Sequence, residues 1–212
     1  MRVNHVEYDE NLYTYDELSE EAKEVVKQWY LDDDWRTENF TEMVDENLSE
    51  LFPHSDLKVE YSLAYSQGDG LNIYGHLYMD DFLPYYQATK EAKATIAKYI
   101  EQLDYYDEAW VEFSQNRRYG YSMKFIDAKD IEWLVGVAED TLTIEEYIGH
   151  PEIVDTKLLE DFYSQIFDYF KNLDKEYEEM GYEYLYEADD EEVAEHCEAN
   201  GYEFYEDGRF AG

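Results

Sequence analysis

The apolar positions of the chain change period several times, and each change predicts an element. Ala22, Val25, Val26 and Trp29 recur at helical spacing behind Ser19, an N-cap residue followed by Glu20 and Glu21 in the first turn. Asp32, Asp33 and Asp34 then crowd the end of that helix, where its dipole disfavours anions. A second helix is predicted over 37–51 from Phe40, Met43, Val44, Leu48 and Leu51, with Pro53 just beyond. The period then drops to two. Leu57, Val59, Tyr61, Leu63 and Tyr65 alternate with polar residues, and so do Leu71, Ile73, Leu77 and Met79. Both apolar sets are odd-numbered, so odd residues must pair with odd residues for the faces to coincide. The connecting loop must then be odd, three or five residues, around Gly68-Asp69-Gly70.

Further along, a helix is predicted over 86–103 and a second hairpin over 108–126, with Val111 and Phe113 on one strand and Tyr121, Met123 and Phe125 on the other. A helix capped by Asp127 includes Ile131, Leu134 and Val135, and Thr143 to Glu146 has the capping-box pattern of a short turn. The strongest helical stripe runs over 156–180, with Gly181 in the C′ place. A strand over 182–186, a short helix over 189–199 stopped by Asn200-Gly201, and a last strand over 202–205 complete the reading. These elements predict an α+β fold in a single domain, 1–212. A four-stranded antiparallel sheet (hairpin, helix, hairpin; 57–127) would be packed with helices and flanked by acidic helical parts, 1–56 and 128–212.

Charge changes this picture most. The chain carries 54 Asp+Glu against 16 Lys+Arg, a formal net charge of −38, yet it is 44% hydrophobic and 18% aromatic. Disorder goes with few aromatics, so this is a folded polyanion that works against its own self-repulsion. The excess sits in the flanks: residues 57–127 hold 11 acids and 7 bases, whereas 174–207 hold 15 acids and only Lys175. A polyanion is repelled by nucleic acid and by anionic lipid, so neither is an expected direct partner. With Cys197 alone no internal disulfide forms, no apolar run marks a signal peptide or a bilayer span, and a reducing cytoplasm is the expected location.

Candidate chemistry is sparse. There is no G-x-S-x-G elbow. His196 and Cys197 are adjacent, and adjacent helical residues do not face each other. The five histidines, His5, His54, His76, His150 and His196, include no i,i+3 or i,i+4 pair for a metal. Asp32-x-Asp34 begins like a calcium loop, but Thr37 and Met43 stand where Gly and Glu belong. Asp81 with Glu91 and Lys93 only loosely matches a metal nuclease. Gly68-Asp69-Gly70 lacks the third glycine and the following helix of a dinucleotide loop, and Asp69 would repel phosphate. No cofactor, metal or catalytic residue is expected.

The acids carry the functional expectation. Glu176 with Glu179, Glu191 with Glu195, and Glu195 with Glu198 stand three or four apart on predicted helices, where like charges cost stability. Cβ spacing on such a face is about 5–6 Å, the scale on which phosphates follow one another along a nucleic-acid strand. Tyrosines beside the acids, as in Tyr182-Glu183, offer rings to Lys and Arg. The expected contacts to a basic partner are Asp32, Asp33, Asp34, Glu176, Glu178, Glu179, Tyr182, Glu183, Glu187, Asp189, Asp190, Glu191, Glu192, Glu195, Glu198, Glu203 and Glu206.

The segments LSEEAKEVVKQWY (18–30), DLKVEYSLAYSQGDGLNIYG (56–75) and AEHCEANGYEFYEDGRF (194–210) resemble small acidic proteins of bacteriophages and prophages, some of them antitoxin-like. In charge alone the chain is similar to DNA-mimic antirestriction and anti-CRISPR inhibitors. The resemblance implies a non-catalytic inhibitor in an infected or lysogenic bacterial host. It would block the nucleic-acid site of a basic defence protein, a CRISPR or restriction nuclease. The alternatives are an antitoxin-like neutraliser of a basic toxin, or an enzyme built on His76 or Cys197.

Overall fold

The computed structural model describes residues 11–66, 68–105, 107, 109–113, 128–143 and 154–211. Two compact units emerge, Met1–Phe40 with Tyr182–Gly212, and Thr41–Gly181. The division falls within α2 (Asp34–Leu51) and within α6 (Thr156–Tyr186).

The 41–181 unit holds the sheet. Strands β1 (Asp56–Ser62), β2 (Gly70–Tyr78) and β3 (Trp110–Phe113) are antiparallel in the order β1-β2-β3. Val59 pairs with Ile73 and Leu77 with Val111, so the odd residues share a face as the alternation requires. That face buries Leu57, Val59, Ile73, Leu77, Val111 and Phe113. On it, Phe170 of α6 packs against Phe113 and Phe52 at centroid distances of 4.6 and 5.1 Å. Short α3 (Met79–Phe82) follows β2 directly, and α4 (Lys90–Tyr105) and α5 (Ala128–Thr143) complete the unit.

The four-stranded expectation is corrected: among the described residues the sheet has three strands. The residues expected to form the fourth, Tyr121, Met123 and Phe125, lie outside the described residues, as do Asp127 and most of the 143–146 box. The β1–β2 loop is odd, but it has seven residues, 63–69, instead of three or five. Asp69 organises it: its carboxylate accepts from Ala64 N and Ser66 N, both at 2.7 Å, and from Ser66 Oγ at 2.8 Å. Two residues of the loop have positive φ, Tyr65 at +53° and Gly68 at +101°. The helix expected to start at 86 begins at Lys90, because Tyr86 turns aside to donate to Asp161 (2.8 Å) and Thr89 Oγ1 accepts from Ala92 N (3.2 Å).

The other unit joins both ends of the described chain. In α1 (Glu20–Leu31) Ser19 accepts from Ala22 N as N-cap, and in α7 (Asp190–Asn200) Asp189 accepts from Glu192 N, with left-handed Gly201 at the C-cap. Tyr15, Leu18, Ala22, Val26, Tyr30, Val193, Cys197 and Phe204 form its core. The expected strand over 202–205 is only a single-residue bridge, Phe204 facing Tyr13 and Phe210. The expected strand over 182–186 is helix, since α6 passes Gly181 and runs to Tyr186. Gly181 does not stop the helix, because tertiary contacts of the last turn override a weak local signal.

Candidate functional site

Arg36 explains that last turn. It sits in the first turn of α2, 1% exposed, with its guanidinium over the rings of Tyr30 (4.4 Å) and Tyr184 (4.6 Å). One terminal nitrogen donates to Glu192 Oε1 at 3.0 Å, and the other to the carbonyls of Tyr184 and, at 3.4 Å, Glu187. The carbonyls at a helix C-terminus lack intrahelical donors, and Arg36 supplies them. It thus fastens the end of α6 and the first turn of α7 to α2.

Asp32 to Asp34 also read differently once α2 is seen to begin at Asp34. Asp33 and Asp34 stand at the start of a helix, where the dipole favours anions. Asp33 accepts from Trp35 N at 3.4 Å, and Asp32 from Gln28 Nε2 at 2.7 Å.

The expected contact residues therefore separate into two groups. Asp32, Asp33, Asp189, Asp190 and Glu192 have structural bonds. Asp190 faces Tyr15 OH at 3.4 Å and Lys27 Nζ at 3.8 Å, and Glu192 also accepts from Tyr30 OH at 2.7 Å. Asp34, Glu183, Glu187, Glu191, Glu195, Glu198, Glu203 and Glu206 are exposed and form no ion pair among the described residues. Tyr182 is half-buried beside Tyr186. Glu176, Glu178 and Glu179 belong to the 41–181 unit. Glu176 and Glu179 are exposed, whereas Glu178 is half-buried, its carboxyl pushed up by burial and then by Asp69 and Glu179.

Residues 11–40 and 182–211 together hold 20 acids and 4 bases, Lys23, Lys27, Arg36 and Arg209. Each of these bases is already paired, with Glu20, Asp190, Glu192 and Asp207 respectively. Among the described residues of this unit, the surface acids are left with almost nothing to neutralise them. Its tyrosines are largely committed: Tyr184 covers Arg36, Tyr205 faces Arg209, and Tyr202 packs edge-on to Trp29 and Phe210. A cavity of about 400 Å³ opens beside α7, with Asp16, Glu198 and Glu203 among its lining residues. Sequence reasoning missed Asp16, which lies far from the acid-rich segment.

Cys197, one of the residues of the catalytic alternative, also lines this cavity. Cys197 is buried, and desolvation pushes its thiol up to about 11, so it is poorly nucleophilic. His196 stacks flat on Trp35, rings 5.0 Å apart, and burial holds its pKa below the usual value. His76 is exposed on β2 with its ring 6.4 Å from that of Trp110.

The 41–181 unit contains one arrangement the sequence did not suggest. Buried Asp81 on α3 lies 2.7 Å from His54 Nδ1 and accepts from His54 N (2.9 Å) and Ser55 Oγ (2.7 Å), while Ser55 Oγ accepts from Tyr78 N (2.9 Å). His54 is largely exposed, so a carboxylate–imidazole pair faces solvent. Ser55 points at the carboxylate instead of the imidazole, so this is not a nucleophilic triad. Asp81 instead ties the turn after α2 to the end of β2. Only the turn signal at Pro53 hinted at it. Among the described residues no group of three His, Cys, Asp or Glu is placed to hold a metal ion, and no helix is long and apolar enough to cross a membrane. Comparison of the chain with protein families, curated proteins and solved structures found no match.

Proposed function

We propose that the protein is a non-catalytic inhibitor that presents the exposed acids of the 11–40/182–211 unit to a basic bacterial protein, at the site where that protein binds nucleic acid. A defence nuclease is the partner class this reading favours. One observation carries it: among the described residues of the unit all four bases are spent internally, whereas eight of the expected contact acids are exposed without an ion pair. Lysines and arginines placed for phosphates would meet carboxylates at about the same spacing. Association driven this way is fast and weakens with salt.

The test uses the full chain immobilised in host lysate, with elution by a salt gradient and, in parallel, by duplex DNA. Glu191→Gln/Glu195→Gln/Glu198→Gln should lose the captured protein, and neutralising exposed Glu42, Glu46 and Glu50 of the other unit should not. Equal loss in both triple variants would refute site-specific binding. Displacement by salt but not by DNA would point to a basic target that does not use this site for nucleic acid.

A further inference from the structure

Asp174 is out of place for an acid in a chain with so much exposed surface. It projects from α6 within the 41–181 unit and is 6% exposed, between buried Leu173 and Tyr177. Its carboxylate accepts one bond, from Ile73 N at 3.3 Å. Ile73 lies on β2 outside the β3 pairing, which covers only Gly75 to Tyr78, so its N–H would otherwise lack a strand partner among the described residues. The carboxyl of α6 thus covers the central strand beyond its described β3 pairing.

Among the described residues no cation shares this site. Lys171 and Lys175 on the same helix are exposed and make no ion pair with Asp174, while Lys58 on β1 pairs with Asp45 of α2 at 3.6 Å. The charged groups that face the contact are acidic: Glu178 one turn along α6, and Asp69 of the hairpin loop, which opposes Glu178. Tyr177 is neutral and donates to Asn47 of α2. Ionising Asp174 therefore places a third negative charge around the hairpin, in a pocket that solvates it with one N–H.

We propose that Asp174 is a proton-operated clasp: protonated it holds α6 against Ile73 of β2, and ionised it loosens that contact. Burial, and to a smaller extent Glu178, push its carboxyl up to about 8 against the partial relief of the Ile73 N–H. The folded chain then keeps a proton that the unfolded chain gives up in the ordinary carboxylate range. Between those two pH values the folded state binds the extra proton, so stability declines as pH rises and the contribution is gone above the folded value. A bound protein that carried positive charge to Glu178 and Asp69 would work the clasp in the same direction, by expelling the proton.

The test is a side-chain carboxyl ¹³C titration of the full chain, with amide exchange at Ile73 followed in parallel. Asp174 should titrate near neutrality, and Glu178→Gln should shift its midpoint down. Protection of Ile73, corrected for intrinsic exchange, should fall about tenfold or more across the titration in the wild type and stay flat in Asp174→Asn, which keeps the acceptor oxygen. Titration of Asp174 in the ordinary carboxylate range would overturn the proposal. So would the same loss of protection in Asp174→Asn. The wild-type titration decides the matter alone if the variant does not fold.

Discussion

Arg36→Met should unfold the 11–40/182–211 unit selectively, and its cost can be worked from contacts. The substitution keeps a long apolar side chain but removes the donor to Glu192, to the Tyr184 carbonyl and to the Glu187 carbonyl. It also removes a cation held 4.4 and 4.6 Å from two tyrosine rings. A hydrogen bond to a charged group contributes about 1.5–3 kcal/mol, and a desolvated cation–π contact about 2 kcal/mol. Against this stands the removal of a guanidinium whose Nε finds no partner in the interior. Glu192 is 42% exposed and returns to water, so no buried anion is stranded. The net cost should be about 3 kcal/mol, the low end of the range for breaking a buried pair. Glu192→Gln should cost less, about 1 kcal/mol, because Arg36 keeps two carbonyls and two rings. Arg36→Lys should fall between them, since an ammonium cannot fork to two carbonyls. Urea unfolding followed by Trp29 and Trp35 fluorescence reads this unit. An Arg36→Met cost below about 1 kcal/mol, or Glu192→Gln costing as much as Arg36→Met, would refute the view that Arg36 secures the end of α6.

Asp81→Ala removes the acceptor for three donors and should cost about 2–4 kcal/mol in denaturant unfolding, whereas Asp81→Asn should cost less because it retains acceptor capacity. Cys197→Ala should leave partner binding unchanged, and the wild-type thiol should react with a disulfide reagent far more slowly in the native chain than in urea. Gly75→Ala should destabilise by more than about 2 kcal/mol in the same unfolding assay, because φ is +116° and the added Cβ would meet the Asp56 carbonyl oxygen at 2.0 Å.

What could be read in the sequence was local. Ser19, Asp189 and Gly201 each cap a helix through atoms a few residues away, so the start of α1 and both ends of α7 were legible within a residue. The register parity of β1 and β2 followed from their alternation, but the loop length did not, since Asp69 stabilises a longer loop than the common hairpin types. Gly181 misled because what carries α6 past it is Arg36, about 150 positions away in sequence. Asp32 caps the end of α1 as read, but Asp33 and Asp34 stand at the start of α2, a boundary error of three residues that reversed their electrostatic meaning. Asp174 looked like one more acid in an acidic run. Yet it stands four residues after Phe170 and three before Tyr177, so the period of α6 itself places it on the buried face.

Tyr13 and Phe204 exchange backbone hydrogen bonds at 2.9 Å in both directions, so the acidic unit closes on itself only when both ends of the described chain are present. On the ribosome, 41–181 emerges as one continuous stretch and can begin to fold at once, whereas 11–40 must wait for 182–211. A chain that stops before 182 lacks the partner for α1. The acids of 182–211 are therefore made after the sheet-bearing unit, and loss of the residues from Phe204 to Ala211 would silence the proposed surface while that unit persisted.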